Sequence, residues 1–475
     1  MKSTALKGIF WSTIDKFFAQ GVQFVIVIIL ARILMPADFG LIGMLSIFIV
    51  LSQTLVDSGM GTGLIQKKNR TDFDFSTVFV FNLVISIFLY SILFVTAPAI
   101  ANFYDSPQLV LLTRVLGINI IINSLAVVQY SKLTISIDFK TIAKVNVISV
   151  VLGGLMAIYF ANFGFGVWAL VIQQITRSLI SVLMLWFLSK WKLSLFFSKQ
   201  SFKNLFDFGS KLLIARIYAQ ILNNVYNIII VKVYSASELG YYTNAKNYSD
   251  ITAGTITGIL QKVTFPILAS LQDDKKRMIS VYSRIIRMTA FFIFPIMTLL
   301  ALLADPFIRL VLTEKWLPTV VLLQWLSFAR MVSPISSVNM NILNAVGRSD
   351  LFLKVDLSKF PLLVLTLIIT IPLGVKAMVI GHVVMAILAF FINAYMPGKL
   401  FGYGALSQLK DMIPIFISTV IMALTVFVVI IFIENLFLKL ILGGISGIIS
   451  YLVMSNMLKI EEINEVKSLL LKLKN

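Results

Sequence analysis

Lys16-Phe17-Phe18-Ala19-Gln20-Gly21-Val22-Gln23 and Arg216-Ile217-Tyr218-Ala219-Gln220-Ile221-Leu222-Asn223 stand 200 positions apart, each inside an otherwise apolar stretch. At about 100° per residue, Lys16, Gln20 and Gln23 share one helical face, and so do Arg216, Gln220 and Asn223. Charged and amide groups inside a bilayer are costly and normally face a cavity or a partner helix. Two such stripes point to two similar lobes whose polar faces line one transport route.

The composition agrees that the solvent is lipid. Of 475 residues 59% are hydrophobic and 13% charged, with a mean hydropathy of +0.95. Soluble domains carry about 45–50% apolar and about 25% charged residues. The chain divides into about fourteen apolar stretches: 10–34, 40–63, 77–103, 109–130, 141–161, 165–188, 208–234, 240–265, 279–304, 317–344, 351–373, 377–397, 411–434 and 436–457. Each approaches the roughly 20 residues that cross a hydrocarbon core. The connections are too short for an independent soluble domain.

The net charge is +19, from 40 Lys and Arg against 21 Asp and Glu. In a soluble chain this would call for nucleic acid, but the charges sit in alternate loops. Lys67, Lys68 and Arg70 follow the second stretch, Lys190, Lys192 and Lys199 the sixth, Lys275, Lys276 and Arg277 the eighth, and Lys399 and Lys410 the twelfth. The other loops are nearly bare. The positive-inside rule makes the charged loops and both termini cytoplasmic. Trp168 and Trp316 then fall near the outer boundary, and Trp11, Trp186 and Trp191 near the inner one, where interface anchors belong. No cysteine is present, so disulfides and thiolate metal sites are excluded. The first stretch lacks a cleavage pattern and reads as a retained span.

The repeat extends beyond the two stripes. Ile14, Ala19, Gln20, Val25, Ile28, Ile29 and Gly40 recur 200 positions later as Ile214, Ala219, Gln220, Val225, Ile228, Ile229 and Gly240. Gly166-Val167-Trp168-Ala169-Leu170-Val171-Ile172 recurs at an offset of 208 as Gly374-Val375-Lys376-Ala377-Met378-Val379-Ile380. Because six is even, a duplicated six-helix unit inserts twice in the same sense. The expected fold is therefore an all-α polytopic membrane protein. A six-helix lobe spans 1–200, a parallel-related lobe 201–400, and residues 401–475 add two transmembrane helices and a cytoplasmic tail.

The turn Pro36-Ala37-Asp38-Phe39-Gly40, the segment Asp57-Ser58-Gly59-Met60-Gly61-Thr62-Gly63-Leu64-Ile65-Gln66, Ile137-Asp138-Phe139-Lys140 and Gly166-Val167-Trp168-Ala169-Leu170-Val171 carry a resemblance. The chain resembles the Wzx-type polysaccharide flippases of the multidrug/oligosaccharidyl-lipid/polysaccharide exporter superfamily, in the branch of lipopolysaccharide, colanic-acid and teichuronic-acid export. The resemblance implies a non-enzymatic exporter of the bacterial cytoplasmic membrane, working by alternating access. Its cargo would be an oligosaccharide on undecaprenyl pyrophosphate, and its partners membrane lipids, a polysaccharide polymerase and other assembly proteins. Nucleic acid is not among them.

Such a cargo needs cations for the pyrophosphate and amides for the sugars. Lys16, Arg177 and Arg216 supply charge, arginine in a bidentate form. Gln20, Gln23, Gln220, Asn223, Asn224 and Asn227 supply donors and acceptors, and Tyr218, Tyr226 and Tyr248 offer rings for stacking. The same groups would also serve as interhelical glue. Arg177 either lines the cavity or pairs with a buried carboxylate. Asp250, one turn after Lys246, either pairs with that lysine or carries a coupling ion. Asp57 is the second coupling candidate, or a clamp on a basic loop. His382, the one histidine, is expected to pack in the neutral form.

Other signals are declined. Gly59-Met60-Gly61-Thr62-Gly63 lacks the strand context of a dinucleotide loop, and no phosphate-binding G-x-x-x-x-G-K motif occurs. Asp72-Phe73-Asp74 reads as a solvated helix start. No motif asks for a cofactor or a metal. Within the superfamily, a multidrug exporter and a lipid II flippase are the rival readings. A membrane polymerase is weaker, because no outer loop is long enough to carry its catalytic segments.

Overall fold

A computed structural model describes residues 2–465 except 58, 68, 190, 192–193, 270 and 272–273. The side chains of residues 2–10, 12–17, 208, 211–212, 215, 255–256, 259–263, 265–266, 269 and 349 also lie outside the description. Lys16 is among them. The regular structure of the described residues is helical, with no strand, and a helix underlies each expected stretch. Nine of the described helical segments are long and apolar enough to cross a membrane. The chain forms two compact units, residues 1–240 and 241–475.

The first unit holds α1 (Lys2–Ile33), α2 (Pro36–Asp57), α3 (Met60–Gln66), α4 (Asp72–Phe103), α5 (Leu109–Ser124), α6 (Val127–Ile135), α7 (Phe139–Asn162), α8 (Val167–Leu188), α9 (Lys199–Val233) and the start of α10 (Ala236–Ala269). Helix α7 packs between α1 and α8, while α2 touches α4, α5, α8 and α9. Leu30, Leu34, Val150 and Ala157 form the core beside α7. Helices associate in lipid through close contact rather than a hydrophobic drive, so small residues mark the seams. An added Cβ at Gly153 would lie 2.9 Å from the Gln173 carbonyl oxygen, and one at Gly154 only 2.1 Å from the Ile26 side chain.

The second expected span is broken. Gly59 takes φ 70°, a left-handed conformation that glycine adopts without a steric penalty, and separates α2 from α3. A Cβ there would stand 2.7 Å from the Gly209 backbone of α9, so two bare backbones meet at the break. Asp72-Phe73-Asp74 is a helix start, but Asp74 is buried rather than solvated. Its carboxylate accepts from Thr71 N at 2.9 Å and from Lys67 Nζ at 2.7 Å, satisfying donors that a helix N-terminus leaves open.

The second unit contains most of α10, then α11 (Lys275–Leu302), α12 (Ala304–Val311), α13 (Pro318–Ala345), α14 (Ser349–Ser358), α15 (Phe360–Thr370), α16 (Val375–Phe401), α17 (Ala405–Ile431) and α18 (Leu436–Met457). Helix α11 packs on α13 and α17, α13 on α16, and α17 on α18. Inside this apolar core lies a polar knot. The side-chain amides of Asn339 and Gln408 exchange hydrogen bonds of 3.1 and 2.9 Å, Tyr282 donates to Asn339, and all three are fully buried. Nearby, Arg287 of α11 grips Glu462 at 2.7 Å and Glu461 at 3.0 Å, tying down the segment after α18.

Both repeat anchors return as equivalent elements. Gly166 (φ 52°) and Gly374 (φ 98°) are the residues immediately before α8 and α16. Two of the tryptophans depart from the expected interfacial role. Trp316 is fully buried and meets Tyr241 edge-on at 6.0 Å, and Trp191 is buried against Phe79 and Trp186. Large rings fill the irregular space where helices end. Trp11 lies under Lys140 at 5.4 Å.

Candidate functional site

In the first unit the broken helices build a cavity. The break between α2 and α3 and the one between α5 and α6 lie beside a void of about 390 Å³, lined by Gln53, Asp57, Thr62, Asn123, Tyr130 and Ser181 among others. Interrupted membrane helices expose backbone groups that are tolerated where they line a cavity. Arg216 of α9 reaches two residues of this lining: it forms an ion pair with Asp57 and donates to Thr62 Oγ1 at 3.2 Å. Both partners of the pair remain accessible, 43% for Arg216 and 37% for Asp57. Ser181, in the lining, is one turn beyond Arg177 on α8.

Arg177 is exposed and has no ion-pair partner among the described residues. Among the described residues, then, no buried carboxylate pairs with it. Gln20 is exposed and Gln23 half-buried on α1, while the Lys16 side chain lies outside the described residues. On α9 Asn224 Nδ2 donates to the Gln220 backbone carbonyl at 2.9 Å, and Asn227 Nδ2 to Asn224 Oδ1 at 3.3 Å. Asn223 is exposed and Asn227 is buried. Tyr226 and Tyr248 are 4% and 3% exposed. As core rings, they are not sugar platforms; Tyr248 meets Phe307 edge-on at 5.7 Å.

The second unit carries a separate charged cluster. Asp250 of α10 binds Arg330 Nε of α13 at 2.5 Å. The expected internal partner, Lys246, lies within the field of both, and His382 of α16 within that of Arg330 and Lys246. Arginine brings a planar fork to the carboxylate from a neighbouring helix. Neither Thr62 nor Asn123 was foreseen as a site residue. The glycine run after Asp57 was the available signal, since it marks where a helix opens. Among the described residues no group of three or more His, Cys, Asp or Glu side chains is placed to hold a metal ion.

Comparison with known proteins accords with this architecture. Residues 29–321 match the family described as "Polysaccharide biosynthesis protein". The chain is 28% identical to the teichuronic acid biosynthesis protein TuaB of Bacillus subtilis (strain 168), over 73% of this chain and 72% of that protein. It is 26% identical to the succinoglycan biosynthesis transport protein ExoT of Rhizobium meliloti (strain 1021), over 66% and 63% of the two chains. Among solved structures, the inward closed conformation of the lipid II flippase MurJ superposes with a TM-score of 0.76. It covers 94% of this chain and 98% of that one at 17% identity, which bears on the fold alone.

Proposed function

The chain belongs to the polysaccharide biosynthesis protein family, and from that premise we propose that it flips a polyprenyl-pyrophosphate-linked oligosaccharide across the bacterial cytoplasmic membrane. Transport proceeds by alternating access of two parallel lobes, 1–200 and 201–400, around a cationic cavity, with no chemical step. Both termini are cytoplasmic, as the loop charges require. Named relatives in teichuronic acid and succinoglycan biosynthesis support a glycan cargo.

The observation that carries this reading is the Arg216–Asp57 pair at the opened helix. A guanidinium that already holds a carboxylate in an accessible site can exchange it for a phosphate of the same geometry. Asp57 then keeps the site neutral between cargoes, and Arg216 changes partner when pyrophosphate arrives. Lys16 and Arg177 add positive charge along the route. Organic cations, the cargo of a multidrug exporter, are disfavoured along a route where Lys16, Arg177 and Arg216 outnumber Asp57.

The test is export of the lipid-linked glycan by Lys16→Ala, Arg216→Ala and the double variant, with insertion monitored by membrane fractionation. Each single change lowers export, the double abolishes it, and Arg216→Lys retains part because charge survives without the bidentate fork. Near-normal export by the double variant would overturn the phosphate role.

A further inference from the structure

A second cavity lies wholly inside the second unit, bounded by α13, the α14–α15 segment and α16, with a volume of about 480 Å³. That is within the range of small-molecule sites, roughly 300–1,000 Å³. Its polar lining includes Ser336, Asn341, Asp356, Lys359 and Asn393, and Phe352 contributes an aromatic face. Asn393 is only 5% exposed and its Nδ2 donates to Ser336 Oγ at 2.7 Å. Its Oδ1 has no partner among the described residues, and neither has the buried Nδ2 of Asn341. Whichever way round the Asn393 amide stands, one of its two polar atoms is left unmatched. Buried polar groups left open in this way cost stability unless something fills them.

The charges in the lining cancel locally. Lys359 Nζ holds Asp356 Oδ1 at 2.6 Å, one turn apart. A pyrophosphate would find no unopposed cation in that pair. An uncharged ligand with both donors and acceptors, and a C–H face to lie against Phe352, matches what the walls offer. We propose that this cavity binds a neutral sugar unit of the cargo through Asn341 and Asn393. The assignment rests on the flippase reading and deepens it, separating a sugar subsite in the second unit from the phosphate contact at Arg216.

The experiment uses the full chain in nanodiscs of phosphatidylethanolamine and phosphatidylglycerol, so that no glycoside detergent competes. Saturation-transfer NMR is recorded with glucose, galactose, N-acetylglucosamine and lactose, and with inorganic pyrophosphate as competitor. At least one saccharide should bind the native protein. Ala389→Phe, which fills the cavity, and Asn393→Leu should each weaken it tenfold or more. Ser336→Ala leaves Asn393 Nδ2 without its acceptor and should weaken binding severalfold with a modest fall in Tm, the protein still folding. Binding should survive in Lys16→Ala/Arg216→Ala. No saccharide signal on the native protein, equal binding in the variants, or displacement by pyrophosphate would each overturn the subsite. Export is measured in parallel. Native export without saccharide binding removes the subsite and leaves the flippase reading standing, whereas absence of lipid-linked glycan export by the native chain removes that reading itself.

Discussion

Gly40 and Gly240, 200 positions apart, make the same contact in exchange. A Cβ at Gly40 would lie 1.8 Å from the Ala236 carbonyl oxygen, and one at Gly240 would lie 2.0 Å from that of Pro36. Ala236 is Pro36 shifted by 200, so residue i touches j+200 while i+200 touches j. Such reciprocity is the mark of a two-fold relation between equivalent segments. Here it joins the first turns of α2 and α10.

Substitution at this seam should be symmetric. Gly40→Ala and Gly240→Ala each force backbone apart and should cost about 1–3 kcal/mol of stability, read as matching falls in Tm. Gly254→Ala is the control, since nothing lies within 4 Å of the added Cβ; it should leave Tm unchanged or raise it. A fall for one seam glycine without the other would refute the two-fold relation.

The Asp57–Arg216 pair should matter more for transport than for folding. With both side chains more than one third exposed, the interaction is screened and is worth about 0–1 kcal/mol. Asp57→Asn should therefore shift thermal unfolding little yet depress export, by leaving Arg216 uncompensated when cargo leaves. Loss of Tm in step with export would make the pair a structural clamp.

Asp250→Asn should be destabilising, because it leaves Arg330, 19% exposed, beside Lys246 without its acid. Asp250 is 40% exposed, so solvent screens the pair in part and removing its acid costs about 1–2 kcal/mol. Asp250→Asn/Arg330→Gln should recover most of that loss. If Asp250 also carries a coupling ion, the double variant folds and binds cargo but does not accumulate it against a gradient. Gradient-driven transport at the native rate in the double variant would leave Asp250 structural.

The clamp on the C-terminal segment offers a further measurement. Arg287→Ala leaves Glu462, 3% exposed, without its charge partner at 2.7 Å, and should lower stability by about 3 kcal/mol. Proteolysis after Lys459 should accelerate in the variant and not in Arg348→Ala, whose pair with Asp350 is a two-residue surface contact.

Much of the architecture was legible in the residues. Lipid demands that backbone groups be satisfied within each segment, so apolar length alone placed the helices, and the offsets of 200 and 208 revealed the duplication that Gly40 with Gly240 and Gly166 with Gly374 carry into three dimensions. Helical spacing likewise singled out Arg216 on a polar face and Asp250 one turn after Lys246, and Asp57 stood out before the glycine run. Which partner each takes was set only by tertiary packing. Asp250 is held by Arg330 of another helix with Lys246 of its own helix beside it, and Asp57 is met by Arg216 from 159 residues downstream. The same holds for Trp316 and Tyr248, whose rings suit an interface or a sugar by composition yet end in the core. Periodicity reports the face a residue occupies on its own helix. What lies opposite that face depends on how the other helices pack, and a sequence of nearly uniform hydrophobicity does not encode that locally.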